Sequence, residues 1–270
     1  MNAGDRSSSS GERDDHGTGP RPGETSLGSS STRATWILGL AGAMAAIVSW
    51  GVGEVFYEVI PAQPVLQNIS GNQVMIPNMA TELVATTRNA ALAFGISGLC
   101  LAGFLGVAGG IVQGKTRVIV GAGLLGSVLG FVIPAAVCLA MLPMVLRARY
   151  LQFEYELAIS FAMHSVIWGV IGACAGLIGA IGLGRPGFIV KALLAGFSGA
   201  LVGSWIYGFL GGAVFPMEET SLPVSNAWYT RFLAQLLLSV MTASFLALAS
   251  RASGREQGRP PGTLPTGANP

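Results

Sequence analysis

Few residues in this chain have the chemistry to act on anything, and their spacing limits what they could do. His164 is the one titratable side chain well inside a long apolar stretch, where a neutral imidazole can hydrogen-bond a neighbouring helix or relay a proton. Two tetrapeptides, Gly95-Ile96-Ser97-Gly98 and Gly196-Phe197-Ser198-Gly199, hold a serine between glycines, a setting in which an intramembrane serine nucleophile would need a histidine base. Depth separates Ser198 from His164: at 1.5 Å per helical residue they lie ~25 Å and ~10 Å from the same face. Ser97 agrees better in depth, but with 39 glycines in the chain such tetrapeptides arise by chance. A structural hydrogen bond is the expected role of His164. Glu54 and Glu58, four apart beyond the first apolar run, would attract cations if a bundle brought them together with Glu218 and Glu219. They read first as solvated loop acids. Cys100, Cys138 and Cys174 fall in apolar runs without metal-ligand spacing and read as small packing residues. No catalytic, cofactor or metal constellation emerges, so the expectation is a protein that is not an enzyme and uses no cofactor.

The elements that would position these residues are set by composition. Apolar residues make up 51% of the 270 positions and charged ones 10%, with mean hydropathy +0.59. Soluble domains carry about 25% charged residues. A net charge of +2 without a basic patch gives no reason to expect nucleic acid as a partner. Six apolar runs, at 34–53, 89–112, 118–145, 157–183, 188–215 and 232–249, each approach or exceed the ~20 residues that span a ~30 Å hydrocarbon core. Barrel strands would be about half as long and would alternate apolar with polar residues. These runs do not alternate, so they read as helices of an all-α polytopic membrane protein. The first is too long, and too far behind a polar leader, for a cleaved signal. Residues 1–33 and 251–270, rich in Ser, Gly, Pro and Arg, read as disordered tails flanking a transmembrane domain at 34–250. Its outer loops are expected at 54–88, 146–156 and 216–231.

Charge sets the expected orientation. With the N-terminus inside, eleven of the 15 basic residues are cytoplasmic, and only Arg88, Arg147, Arg149 and Arg231 lie opposite. Both termini are therefore expected in the cytoplasm. All the basic residues except Lys115 and Lys191 are arginine, which hints at a GC-rich genome and so at a bacterial inner membrane. Asn68-Ile69-Ser70 in the first outer loop has the form of a glycosylation sequon, relevant only in a secretory membrane.

An internal repeat rewrites a fold, and one is visible here. A gapless shift of 73 residues lays Gly103, Gly106, Gly123, Gly126 and Gly130 on Gly176, Gly179, Gly196, Gly199 and Gly203, and Pro143 on Pro216. A fainter third copy aligns Ser49-Trp50 before Pro61 with Ser204-Trp205 before Pro216. The plan this implies is tandem helix pairs, two clear and a third weaker. The ten glycines are the expected helix-packing positions, since small residues four apart let backbones approach closely in lipid. The expected partners are the bilayer and, through such faces, other membrane helices or a second copy. Two roles fit. The leading expectation is a non-catalytic structural or accessory bundle; the alternative is a small-solute transporter or channel with its pathway between the repeats. A polar cavity reaching the middle of the bundle would favour the second.

Overall fold

A computed structural model describes residues 24–151, 156–215, 217–218 and 220–257. Six long helices dominate it: α1 (Glu24–Val55), α2 (Met79–Gln113), α3 (Thr116–Leu151), α4 (Glu156–Gly182), α5 (Ile189–Val214) and α6 (Trp228–Gln257). Each contains a stretch long and apolar enough to cross a membrane. The chain is a polytopic, predominantly helical membrane protein. Most of the expected tails, 1–23 and 258–270, lie outside the described residues. The helices nevertheless run past the apolar runs at that end, with α1 starting at Glu24 and α6 continuing to Gln257. Arg251 Nε donates to Thr35 Oγ1 at 2.7 Å, tying α6 to α1 there.

The outer loop expected at 54–88 needs correction. Its middle is a β-hairpin, β1 (Pro64–Ile69) paired antiparallel with β2 (Asn72–Pro77), with Ile69 opposite Asn72. The intervening Ser70 and Gly71 both have positive φ (53° and 87°), as a two-residue turn matched to strand twist requires. Asn68, of the sequon, accepts the Gly71 N–H at 3.0 Å. Then α2 starts at Met79, not at 89. Asn78 and Thr81 form a reciprocal capping box that satisfies orphan amides, so polar first turns are helical although hydropathy alone would exclude them. Likewise α3 reaches Leu151 and α6 begins at Trp228, which shortens the other two loops.

Five helices form a closed ring in the neighbour order α1, α2, α4, α5, α6 and back to α1. Helix α3 stands outside it, against α2 and α4. Its Val120, Leu124, Val128, Val132 and Leu139 are exposed, as befits a helix turned to lipid. The most apolar windows of α2 and α4 are 72% and 67% buried against 22% for α3, so α2 and α4 carry the core. Without a hydrophobic drive between helices in lipid, close packing must hold them, and it does so where side chains are missing. A Cβ at Gly98 would run into the Gly130 carbonyl, and one at Gly126 would lie 2.5 Å from the Ala102 carbonyl oxygen. In the second pair, Gly172 meets Gly196 and Gly176 meets Ala192 in the same way.

The gapless 73-residue register does not survive at these crossings. Gly123, Gly126 and Gly130 of α3 face α2, but of their expected counterparts only Gly196 faces the preceding helix; Gly199 meets Met241 and Thr242, and Gly203 meets Leu237, all on α6. Gly103 meets Ser127 and Gly106 meets Ala122 on α3, whereas Gly176 meets Ala192 on α5 and Gly179 meets Leu246 on α6. The exit prolines differ too, because Pro143 lies inside α3 while α5 ends at Val214. The crossings match in another register: Gly95, Gly98 and Ala102 correspond to Gly169, Gly172 and Gly176, while Gly126, Gly130 and Phe131 correspond to Ala192, Gly196 and Phe197. Phe131 then covers Gly95 just as Phe197 covers Gly169. The two offsets differ because the α4–α5 pair crosses about one helical turn nearer its connecting loop. Gly114, in left-handed conformation (φ 71°), ends α2, and its N–H donates to the carbonyls of Gly110 and Ile111.

Leucine at either Gly98 or Gly172 should therefore cost about 1–3 kcal/mol or more, the usual price of overpacking. Gly121→Leu, on an open face with nothing within 4 Å, should be neutral. Thermal melts of the three variants in detergent check this. Equal melting temperatures would remove the glycine crossings from any structural role.

Candidate functional site

The end of the ring that carries the β-hairpin is open, and a cavity of ≈ 180 Å³ descends from it between α1, α2, α4, α5 and α6. Its walls include Trp50, Phe94, Trp168 and Tyr207, with Glu54, Glu58 and Arg231 at the mouth. On α6 the lining runs from Arg231 to Leu238, which lies ~15 Å along the helix from Trp228, or half a hydrocarbon core. Below that level Leu101, Leu105, Ile171, Ile178 and Leu246 are fully buried and fill the ring. There a Cβ on Gly42 would lie 2.6 Å from the Ala243 Cβ, sealing α1 against α6.

Arg231 organises the mouth. Its Nε and Nη2 donate to the two Glu54 carboxylate oxygens at 2.7 and 2.6 Å, a bidentate pair across α6 and α1. Its Nη1 donates to the carbonyls of Ser225 and Asn226, at 2.8 and 2.7 Å. The Tyr57 ring packs 3.7 Å from the guanidinium carbon. Tyr57 also donates to Asn226 Oδ1 at 3.3 Å. Burial, and after it the neighbouring Glu58, raise the Tyr57 hydroxyl above its ordinary range, so it stays protonated at neutral pH. Asn89 adds a two-way bond to the Ile60 backbone, fixing the chain that leaves α1.

Further hydrogen bonds pin the segment at 220–226 over the cavity. Ser160 donates to the Ser221 carbonyl at 3.0 Å, and Ser225 donates to that of Glu218 at 2.8 Å. Thr230 donates to Ser225 Oγ at 2.7 Å, and Tyr229 bonds Glu218. His164 is 5% exposed, with Nδ1 3.0 Å from the Ser160 carbonyl, and its ring meets Trp168 and Tyr207 edge-on at 6.2 and 5.9 Å. At the cavity's lower wall Gln235 bridges two helices. Its Oε1 accepts from Ser49 at 3.1 Å, and its Nε2 donates to Ser97 at 2.6 Å.

The structure thus brings Glu54, Glu58 and His164 to one cavity and leaves the packing glycines elsewhere. Neither serine of the Gly-x-Ser-Gly tetrapeptides meets His164: Ser97 bonds Ala93 and Gln235, and Ser198 lies on an exposed face. Sequence reasoning missed Arg231 and Gln235. The first sits at the edge of the loop expected at 216–231, and the structure puts it in the first turn of α6. The second is a lone amide in an otherwise apolar run, which was signal enough to single it out. No protein-family model, curated protein or solved structure matches this chain.

Truncating Arg231 should strip the mouth of four hydrogen bonds and strand Glu54. Arg231→Ala is expected to lower stability by about 1.5–3 kcal/mol, the worth of bonds to a charged group. Arg231→Lys should rescue little, because an ammonium cannot reproduce the fork. Thermal unfolding in detergent reads both, and full rescue by lysine would deny the bidentate geometry its importance.

Proposed function

We propose that this protein binds a small solute from the outer face of the membrane, as the vestibule of a carrier or channel, without catalysing a reaction on it. The observation that carries this is the half-depth cavity. A bundle with a purely structural role gains nothing from leaving its ring open to the middle and lining the opening with polar and aromatic side chains. The closed lower half supports an outward-open arrangement in which the solute waits above a seal of fully buried side chains. The serine that His164 does approach, Ser160 with its Oγ 3.3 Å from Nδ1, is buried and donates its proton to the Ser221 carbonyl, which supports the non-catalytic reading.

The hairpin end is taken as the outer one, because Arg33, Lys115, Arg117, Arg185, Lys191 and Arg251 crowd the other end. Both termini are then cytoplasmic, in what the arginine bias suggests is a bacterial inner membrane. The matching crossings favour descent of the α2–α3 and α4–α5 pairs from one ancestral hairpin.

Cysteine accessibility tests both parts of the reading. Ala234→Cys lines the cavity and should react in intact cells with a membrane-impermeant maleimide added outside. Leu105→Cys, below the seal, should not, and native Cys100, Cys138 and Cys174 are buried. Labelling of Ala234→Cys only in inverted vesicles would reverse the orientation, and labelling in neither would close the vestibule. Reporter fusions at Gly114 and Pro186 should independently report cytoplasm, and fusions at Asn72 and Ser221 the opposite side.

A further inference from the structure

The chemistry of the cavity selects a class of solute, an inference that rests on the binding role just proposed. Arg231 is committed to the protein. Four of its five N–H donors go to Glu54, Ser225 and Asn226, and Tyr57 packs against its guanidinium. An entering anion meets no free guanidinium fork. Glu54 in turn has both oxygens on Arg231. Glu58 is left over. It is exposed at the mouth and makes no ion pair within 4 Å among the described residues; its neighbours are the Tyr57 hydroxyl and, at longer range, the Arg231 guanidinium already held by Glu54. With His164 counted neutral, Glu54, Glu58 and Arg231 leave the lining one net negative charge. Glu58 also sits at a φ of 49°, a conformation that long side chains seldom adopt, so the turn that places it is kept without a glycine.

Beneath that charge the lining is aromatic. Trp168 and Tyr207 pack at 5.5 Å with their planes tilted by 33°, Phe94 stands on α2, and Trp50 is braced edge-on by Phe232 at 5.3 Å. Aromatic faces attract a cation through their quadrupole, most strongly where water is excluded, and they shed water onto apolar substituents at the same time. At ≈ 180 Å³ the space is below the usual range for drug-sized ligands, about 300–1,000 Å³. We propose that the cavity binds a small organic monocation, an amine or quaternary ammonium with short apolar substituents, with Glu58 as its counter-charge and Trp50, Phe94, Trp168 and Tyr207 as its walls.

Titration of the full-length protein in lipid nanodiscs with tetraethylammonium bromide, followed by tryptophan fluorescence and thermal shift, tests this. Sodium bromide controls for salt, and sodium hexanoate is the anionic probe. The expected result is a saturable response to tetraethylammonium alone. Glu58→Gln, at an exposed position, should leave the melting temperature unchanged and weaken binding roughly fivefold, the upper worth of a partly exposed ion pair. Ala234→Trp, which fills the cavity, should abolish binding. No saturable response to tetraethylammonium, or equal affinity in Glu58→Gln, overturns the inference. Saturation by hexanoate instead overturns the cation while leaving the binding role standing. Silence to both probes together with an unreactive Ala234→Cys removes the binding role itself.

Discussion

Backbone-to-backbone contact between glycine-faced helices is the constraint from which the rest of this structure follows. In lipid, apolar side chains gain nothing by leaving the solvent, so the helices are held by close fit. The contacts of Gly98 with Gly130 and of Gly172 with Gly196 draw each helix pair together where side chains would hold it apart. Those two pairs lie in the middle and lower part of the bundle. Gly199 and Gly203 then seat α6 on α5, and Gly42 seats α1 on α6. The ring is tight where small residues occur and open where Trp50, Trp168 and Tyr207 take their place.

That division explains why this cavity lies at the hairpin end of the ring. A large aromatic at a ring-facing position keeps neighbouring axes apart, and a single layer of such residues cannot fill the space it creates. The opening is prevented from collapsing by polar cross-links, which set distances instead of merely filling volume. Gln235 fixes α6 to α1 and α2 at the cavity's lower wall, and Arg231 fixes α6 to α1 at its mouth. The segment at 220–226 is held above it by Ser160 and Arg231.

How much of this was legible in the sequence depends on the scale of the signal. Six spans could be read because each is an apolar run of membrane length, a property summed over some twenty residues. Their ends could not, because Asn78 and Thr81 start α2 through two hydrogen bonds that average hydropathy does not register. Glycine spacing pointed to close helix faces, but the 73-residue register that joined them assumed equal arm lengths, and the α4–α5 pair is shorter between crossing and turn. Glu54 and Glu58 stood out as acids; that Glu54 would be neutralised and Glu58 would not depends on an arginine far away in sequence, which no local pattern contains.

That arginine shows how two locally unfavourable choices become one favourable contact. Glu54 lies in the last turn of α1, where the helix dipole already presents negative partial charge, and Arg231 lies near the positive start of α6. Each is on the wrong end of its helix, at a cost of about 0.3–1 kcal/mol when exposed. Because α1 and α6 are antiparallel neighbours, those ends meet, and each side chain supplies the charge that the other helix end lacks. Glu54 faces the positive start of α6, and Arg231 faces the negative end of α1. The bidentate pair thus also sets each charge against the opposite helix end, joining the first helix of the ring to the last. Closing the ring at this point, and not by a deeper charge, keeps the middle of the membrane free of ionised groups among the described residues.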